Sequence, residues 1–134
     1  MRTFALFAAF VSVASIAACA ARQRGPAGPG IPAPATQAEQ LAAGEKIFGE
    51  RCAGCHGATL QGGKGPELLG HALDEFITAQ EAFTYVKNNM PPEGNALADT
   101  DAWAVTAFVL QKNGVGLGEA PVSAENASKI TWVR

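Results

Sequence analysis

Cys52, Cys55 and His56 stand together in the run Cys52-Ala53-Gly54-Cys55-His56. Two thiols at this spacing, with an imidazole directly after the second, form the pattern by which a c-type haem is attached. The physical reason is reach. The thiols add to the two vinyl groups on one porphyrin edge, and the next residue then falls beneath the iron, where a ring nitrogen can coordinate it. Two other chemistries use similar residues. A thioredoxin-like redox pair needs a strand–helix setting, whereas this motif closes a helical pattern and opens a glycine-rich stretch. A structural zinc site needs about four ligands, and beyond the motif only His71 and Cys19 remain as Cys or His donors. One covalent haem c uses all three motif residues.

The sixth iron position has two candidate ligands. Met90 lies 34 residues after His56, in Asn89-Met90-Pro91-Pro92, and is the one methionine left once Met1 departs with a leader. A lone methionine ordinarily fills a core gap. Here, however, prolines stiffen the backbone around it, which suits a sulfur held against a metal. His71, 15 residues after His56, is the rival; its ordinary reading is a surface loop histidine. An open sixth position is the third possibility.

Three helices must position these groups. Leu41, Ala42, Ile47 and Phe48 alternate with polar residues at helical spacing, predicting a helix from Thr36 or Gln37 to Arg51. Gly44 sits inside it at a cost of about 1 kcal/mol relative to alanine, which implies a close approach by another helix, the last one. The stretch 57–70 is rich in glycine and irregular. Thr78-Ala79-Gln80-Glu81 matches a capping box and starts a second helix that stops at Asn88-Asn89. The third starts around Asp99-Thr100-Asp101, with acidic cap residues, and ends at Asn113-Gly114. It is apolar around most of its circumference, so it should be buried on more than one side. In the tail, 123–129 can make one or two helical turns and 130–133 is strand-like. The fold class is all-α.

Apolar residues make up 48% of the 134, many of them in the first 20 positions. Formal net charge is −2, and losing Arg2 with a leader would make it −3. No basic stripe is present, which argues against a nucleic-acid partner. The apolar run from Phe4 to Ala18 has the length of an export signal and is short for a bilayer span. It leads into Ile16-Ala17-Ala18-Cys19, which resembles the lipobox of bacterial lipoproteins. That resemblance implies a diacylglycerol on Cys19 and cleavage before it. Ordinary signal-peptidase cleavage or an uncleaved anchor would use the same residues. Ala20 to Ala35 contains four prolines and three glycines, reading either as a semi-extended tether or as a leader without a role. The organisation expected is a signal peptide over 1–18, a lipid-anchored tether over 19–35, a haem domain over 36–114 and an extension over 115–134.

From about Gln37 to Gly114 the chain resembles a monohaem class I cytochrome c of the small bacterial type. Three signatures carry the resemblance: Gly44-x-x-x-Phe48 ahead of the haem motif; Lys64-Gly65-Pro66-Glu67-Leu68 after it; and Met90-Pro91-Pro92 followed by Trp103 and Val105-Thr106-Ala107-Phe108-Val109. It implies thioethers at Cys52 and Cys55, and His56 and Met90 as axial ligands. The Pro66 carbonyl would accept the other His56 ring N–H, and Leu68 would pack on the haem. Gly44 and Phe48 would meet Val105 and Phe108 where the first and last helices cross. The function implied is one-electron transfer outside the cytoplasm, from a dehydrogenase or quinol-oxidising donor to an oxidase or other acceptor, with no catalysis of its own. Lys46, Arg51, Lys64, Lys87 and Lys112 would be candidates for steering partners. A dedicated cytochrome subunit of a periplasmic dehydrogenase and a ligand-binding haem protein are the alternatives. The chain would be a monomer or part of such a complex. The tail would be a docking element or a strap over the domain's own apolar surface.

Overall fold

Thr36 and Glu39 fix where the folded domain begins. The Thr36 hydroxyl accepts from the Glu39 N–H at 3.2 Å, and the Glu39 carboxylate accepts in return from the Thr36 N–H. This reciprocal cap satisfies donors that the first turn leaves without intrahelical partners. Helix α1, Gln37–Arg51, follows. The computed structural model describes residues 28–94 and 96–132. The expected signal peptide, the expected lipidation site at Cys19 and the first part of the expected tether lie outside the described residues.

The haem motif forms a single further turn, α2, Ala53–His56. Helix α3, Ala79–Asn89, opens on the capping box of Thr78 and Glu81. Helix α4, Asp99–Lys112, is the most buried of the described helices, with Ala102, Ala104, Val105, Thr106, Ala107, Phe108 and Leu110 all buried. Short 3-10 turns at Gly70–Leu73 and Ala127–Lys129 complete the helical content among the described residues. Among the described residues, extended pairing is confined to an isolated antiparallel bridge between Thr78 and Thr131. The fold is all-α. No helix among them is long and apolar enough to cross a membrane.

α1 and α4 cross at Gly44. A Cβ there would collide with the carbonyl of Ala104 and crowd the Phe108 side chain, so the glycine lets two backbones approach. Phe48 and Phe108 meet beside it, their ring centroids 5.5 Å apart. Around this crossing one core cluster gathers Ile47, Phe48, Leu60, Leu97, Val105 and Phe108.

A second cluster joins Leu73, Ala79, Ala107 and Leu110 to four residues of the tail: Val115, Leu117, Val122 and Ala127. The tail is held by polar contacts as well. Gln40, 2% exposed, donates to the Val122 carbonyl at 2.8 Å and accepts from the Val122 N–H at 2.7 Å. Trp132 Nε1 donates to the Leu73 carbonyl at 3.3 Å. The described tail therefore lies on the domain as a strap.

The start of α4 departs from the sequence expectation. Its N-cap is Ala98, with no side-chain cap, and both aspartates have other partners. Asp101 accepts from the Ile31 N–H at 2.9 Å, pinning the end of the proline-rich segment to the domain. Asp99 pairs with Lys87.

Candidate functional site

His56 closes the α2 turn and is buried. Its Nδ1 lies 2.8 Å from the Pro66 carbonyl oxygen. A carbonyl only accepts, so Nδ1 carries the proton and the Nε2 lone pair is left free to bind a metal. Glycines make this contact possible. A Cβ on Gly65 would stand 3.0 Å from His56 Cε1, so the backbone lies directly against the ring. The loop also hydrogen-bonds back to the motif: Gly65 N–H donates to the Cys55 carbonyl at 2.9 Å and Gly62 N–H to the His56 carbonyl at 2.8 Å.

His56 and Met90 line one cavity of about 330 Å³, together with Pro66, Leu68, Phe76, Val86, Val109 and Leu110. α3 delivers Met90: the helix ends there, with the Met90 N–H donating to the Val86 carbonyl at 2.9 Å. Extended backbone and the two prolines then turn the chain away; the Met90–Pro91 peptide is cis. Leu68 is fixed from behind by Asn113, whose side-chain amide donates to the Leu68 carbonyl at 2.9 Å and the Val109 carbonyl at 2.8 Å. Cys52 is half-buried against the first core cluster and Cys55 is exposed. Burial pushes the Cys52 thiol up to about 11, against the opposing pull of Arg51. His71 stands at the rim of the cavity, its ring fully exposed and its Nδ1 2.9 Å from Asp74 Oδ2.

This donor set fits a haem. An apolar cleft holds one imidazole with a free Nε2 and one thioether sulfur, and two thiols stand on the turn that carries the imidazole. His56, Pro66, Leu68 and Met90 thus line one cavity, Cys52 and Cys55 stand on the turn that carries His56, and Cys19 falls outside the described residues. Gly65 and Asn113 also support the site. Gly65 had a signal in its position before Pro66; Asn113 read only as the end of a helix.

Residues 39–109 match the protein family described as cytochrome C oxidase, cbb3-type, subunit III. Cytochrome c6 of Thermosynechococcus vestitus is 34% identical, over 62% of this chain and 80% of that protein. Thiosulfate dehydrogenase of Stutzerimonas stutzeri is 35% identical over 52% of this chain, but the match spans only 26% of that longer protein. Among solved structures, the sulfane dehydrogenase SoxCD of Paracoccus pantotrophus superposes with a TM-score of 0.57 at 27% identity, covering 68% of this chain and 52% of that one. Fold, haem motif and relatives agree: the chain belongs to the class I cytochrome c family, whose c-type haem is covalently bound.

Proposed function

We propose that this protein is an exported one-electron carrier whose single haem c is ligated by His56 and Met90. The observation that carries the reading is that His56, with its Nε2 free, and Met90 line the same apolar cleft. Bound there, the haem supplies an Fe(III)/Fe(II) couple. Cys52 and Cys55 would hold it by thioethers, and Leu68 would pack against it. With His56 and Met90 both bound to the iron, no position would be left for substrate, and histidine–methionine ligation would raise the reduction potential. The role is transfer rather than catalysis, between a dehydrogenase or quinol-oxidising donor and a terminal acceptor. A Cys19 lipid would hold the domain to a membrane on the periplasmic side, and mass spectrometry of the purified protein would report the acyl groups and the haem together. Optical and resonance spectra test the ligation. The wild-type holoprotein should be low-spin in both oxidation states, and Met90→Ala should lose that signature in the ferric form; a Met90→Ala protein with the wild-type spectrum would overturn the assignment.

A second reading is a dedicated cytochrome subunit of a larger exported dehydrogenase. It is supported by the similarity to part of a thiosulfate dehydrogenase and to a chain of a sulfane dehydrogenase. Recovery of a stable 1:1 complex at moderate salt would favour it, and a free monomer the shuttle.

A further inference from the structure

Lys87 has two acceptors, and they lie at the far end of the segment that carries Met90. It sits in the last turn of α3. From there its ammonium reaches across ten residues to the Leu97 carbonyl oxygen at 2.6 Å, and to Asp99 Oδ1 at 2.6 Å. Leu97 is 2% exposed and belongs to the core cluster at the α1–α4 crossing. Asp99 opens α4. One side chain therefore joins the end of α3 to the start of α4, and the Met90 segment is the loop that this contact closes.

We propose that Lys87 is a positioning residue: it clasps shut the loop that begins at Met90, so that the Met90 sulfur stays against the haem iron. The proposal rests on the reading of Met90 as the distal ligand. Three physical points support it. Pro91 and Pro92 lack backbone N–H groups, so the chain just after Met90 can contribute few hydrogen bonds of its own. The lysine is only 27% exposed, so its bond to the Leu97 carbonyl is charge-assisted and partly shielded from water. Its charge also suits the C-terminal end of α3, as that of Asp99 suits the N-terminal end of α4. The pairing with Asp99 is the weaker half, because that carboxylate is 73% exposed and solvent screens it. Lys87 is accordingly not a free charge for steering partners.

Displacing Met90 by an outside ligand requires this loop to swing away, so the clasp opposes displacement. The test is an imidazole titration of the ferric holoprotein, followed by its optical spectrum. Lys87→Leu keeps the apolar stem and removes the clasp; imidazole should then bind about tenfold more tightly, the order expected for one lost charge-assisted hydrogen bond. Lys87→Arg should stay within about threefold of the parent, since it keeps the charge and its donors. Asp99→Asn should shift the affinity in the same direction by a smaller factor, and it serves if Lys87→Leu fails to fold. In a Met90→Ala background the Lys87 and Asp99 changes should have no effect, because no methionine remains to be displaced. A lowered thermal midpoint with unchanged imidazole affinity would overturn the proposal, as would an equal shift in the Met90→Ala background. Should Met90→Ala itself leave spectrum and imidazole affinity unaltered, the ligand assignment falls first and the clasp with it.

Discussion

One hydrogen bond decides which nitrogen of His56 faces the metal. The bond from Nδ1 to the Pro66 carbonyl at 2.8 Å fixes the tautomer, and partners of this kind also make a ligand more basic. Gly65 is where that contact can be tuned without replacing a ligand. An alanine there would place its Cβ 3.0 Å from the ring, so ring and carbonyl must separate. A less polarised imidazole donates less charge to iron and favours the ferrous state. We therefore expect Gly65→Ala to raise the reduction potential by on the order of tens of millivolts, measured by redox titration, with the low-spin spectrum retained. An unchanged or lowered potential would contradict this account. At this scale the sequence was most legible where chemistry dictates spacing, as in Cys52, Cys55 and His56. Pro66 and Leu68 came through resemblance to a family. Lys87 and Gln40 were not legible, because their partners lie ten and 82 residues away and no local pattern encodes such a pairing.

Between elements, the crossing of α1 and α4 is the contact that a sequence pattern did reveal, through the odd position of Gly44. Its replacement pits two effects against each other. Alanine gains about 1 kcal/mol of helix propensity, whereas overpacking against a backbone that cannot yield costs about 1–3 kcal/mol or more. Because the obstacle is the Ala104 carbonyl rather than a flexible side chain, the second effect wins. Gly44→Ala should lower holoprotein stability in chemical denaturation, and a stabilised variant would refute the close crossing. Gln40 offers a matching test on the solvent-excluded side of α1. Gln40→Ala leaves the buried N–H and carbonyl of Val122 without their partner, at about 1–3 kcal/mol for each unsatisfied group. The Val122 amide should then exchange with solvent far faster, while its α4 neighbours stay protected. The N-terminus of α4 shows why boundaries are harder to read than helices. Asp99 and Asp101 look like cap residues, yet one closes the Met90 loop and the other pins Ile31. Tertiary partners outcompeted the local role.

The described domain is built around the cleft that His56 and Met90 line. The two core clusters flank it and share Val109 at their margins, so a haem bound there would join them into one interior. A domain this small commonly needs such a staple. The tail matters for the same reason. Leu73 lines the cleft on one side and packs in the second cluster on the other, where Trp132 holds its carbonyl. A chain ending at Gly114 would lose Val115, Leu117, Val122 and Ala127 from that cluster. Each buried Val or Leu is worth about 1.5–3 kcal/mol, and the conformational entropy of ordering the tail offsets much of the sum. A net loss of about 3 kcal/mol should appear as a lower denaturation midpoint in the truncated holoprotein. The spectrum should remain low-spin, because the tail meets α3 at Ala79, at the opposite end of the helix from Met90. The two roles weighed for the tail then separate cleanly. A strap predicts lost stability with unchanged retention of a co-purifying dehydrogenase, whereas a docking element predicts the reverse. The buried Gln40–Val122 pair favours the strap, since a segment reserved for a partner would not direct its best hydrogen bonds into its own domain.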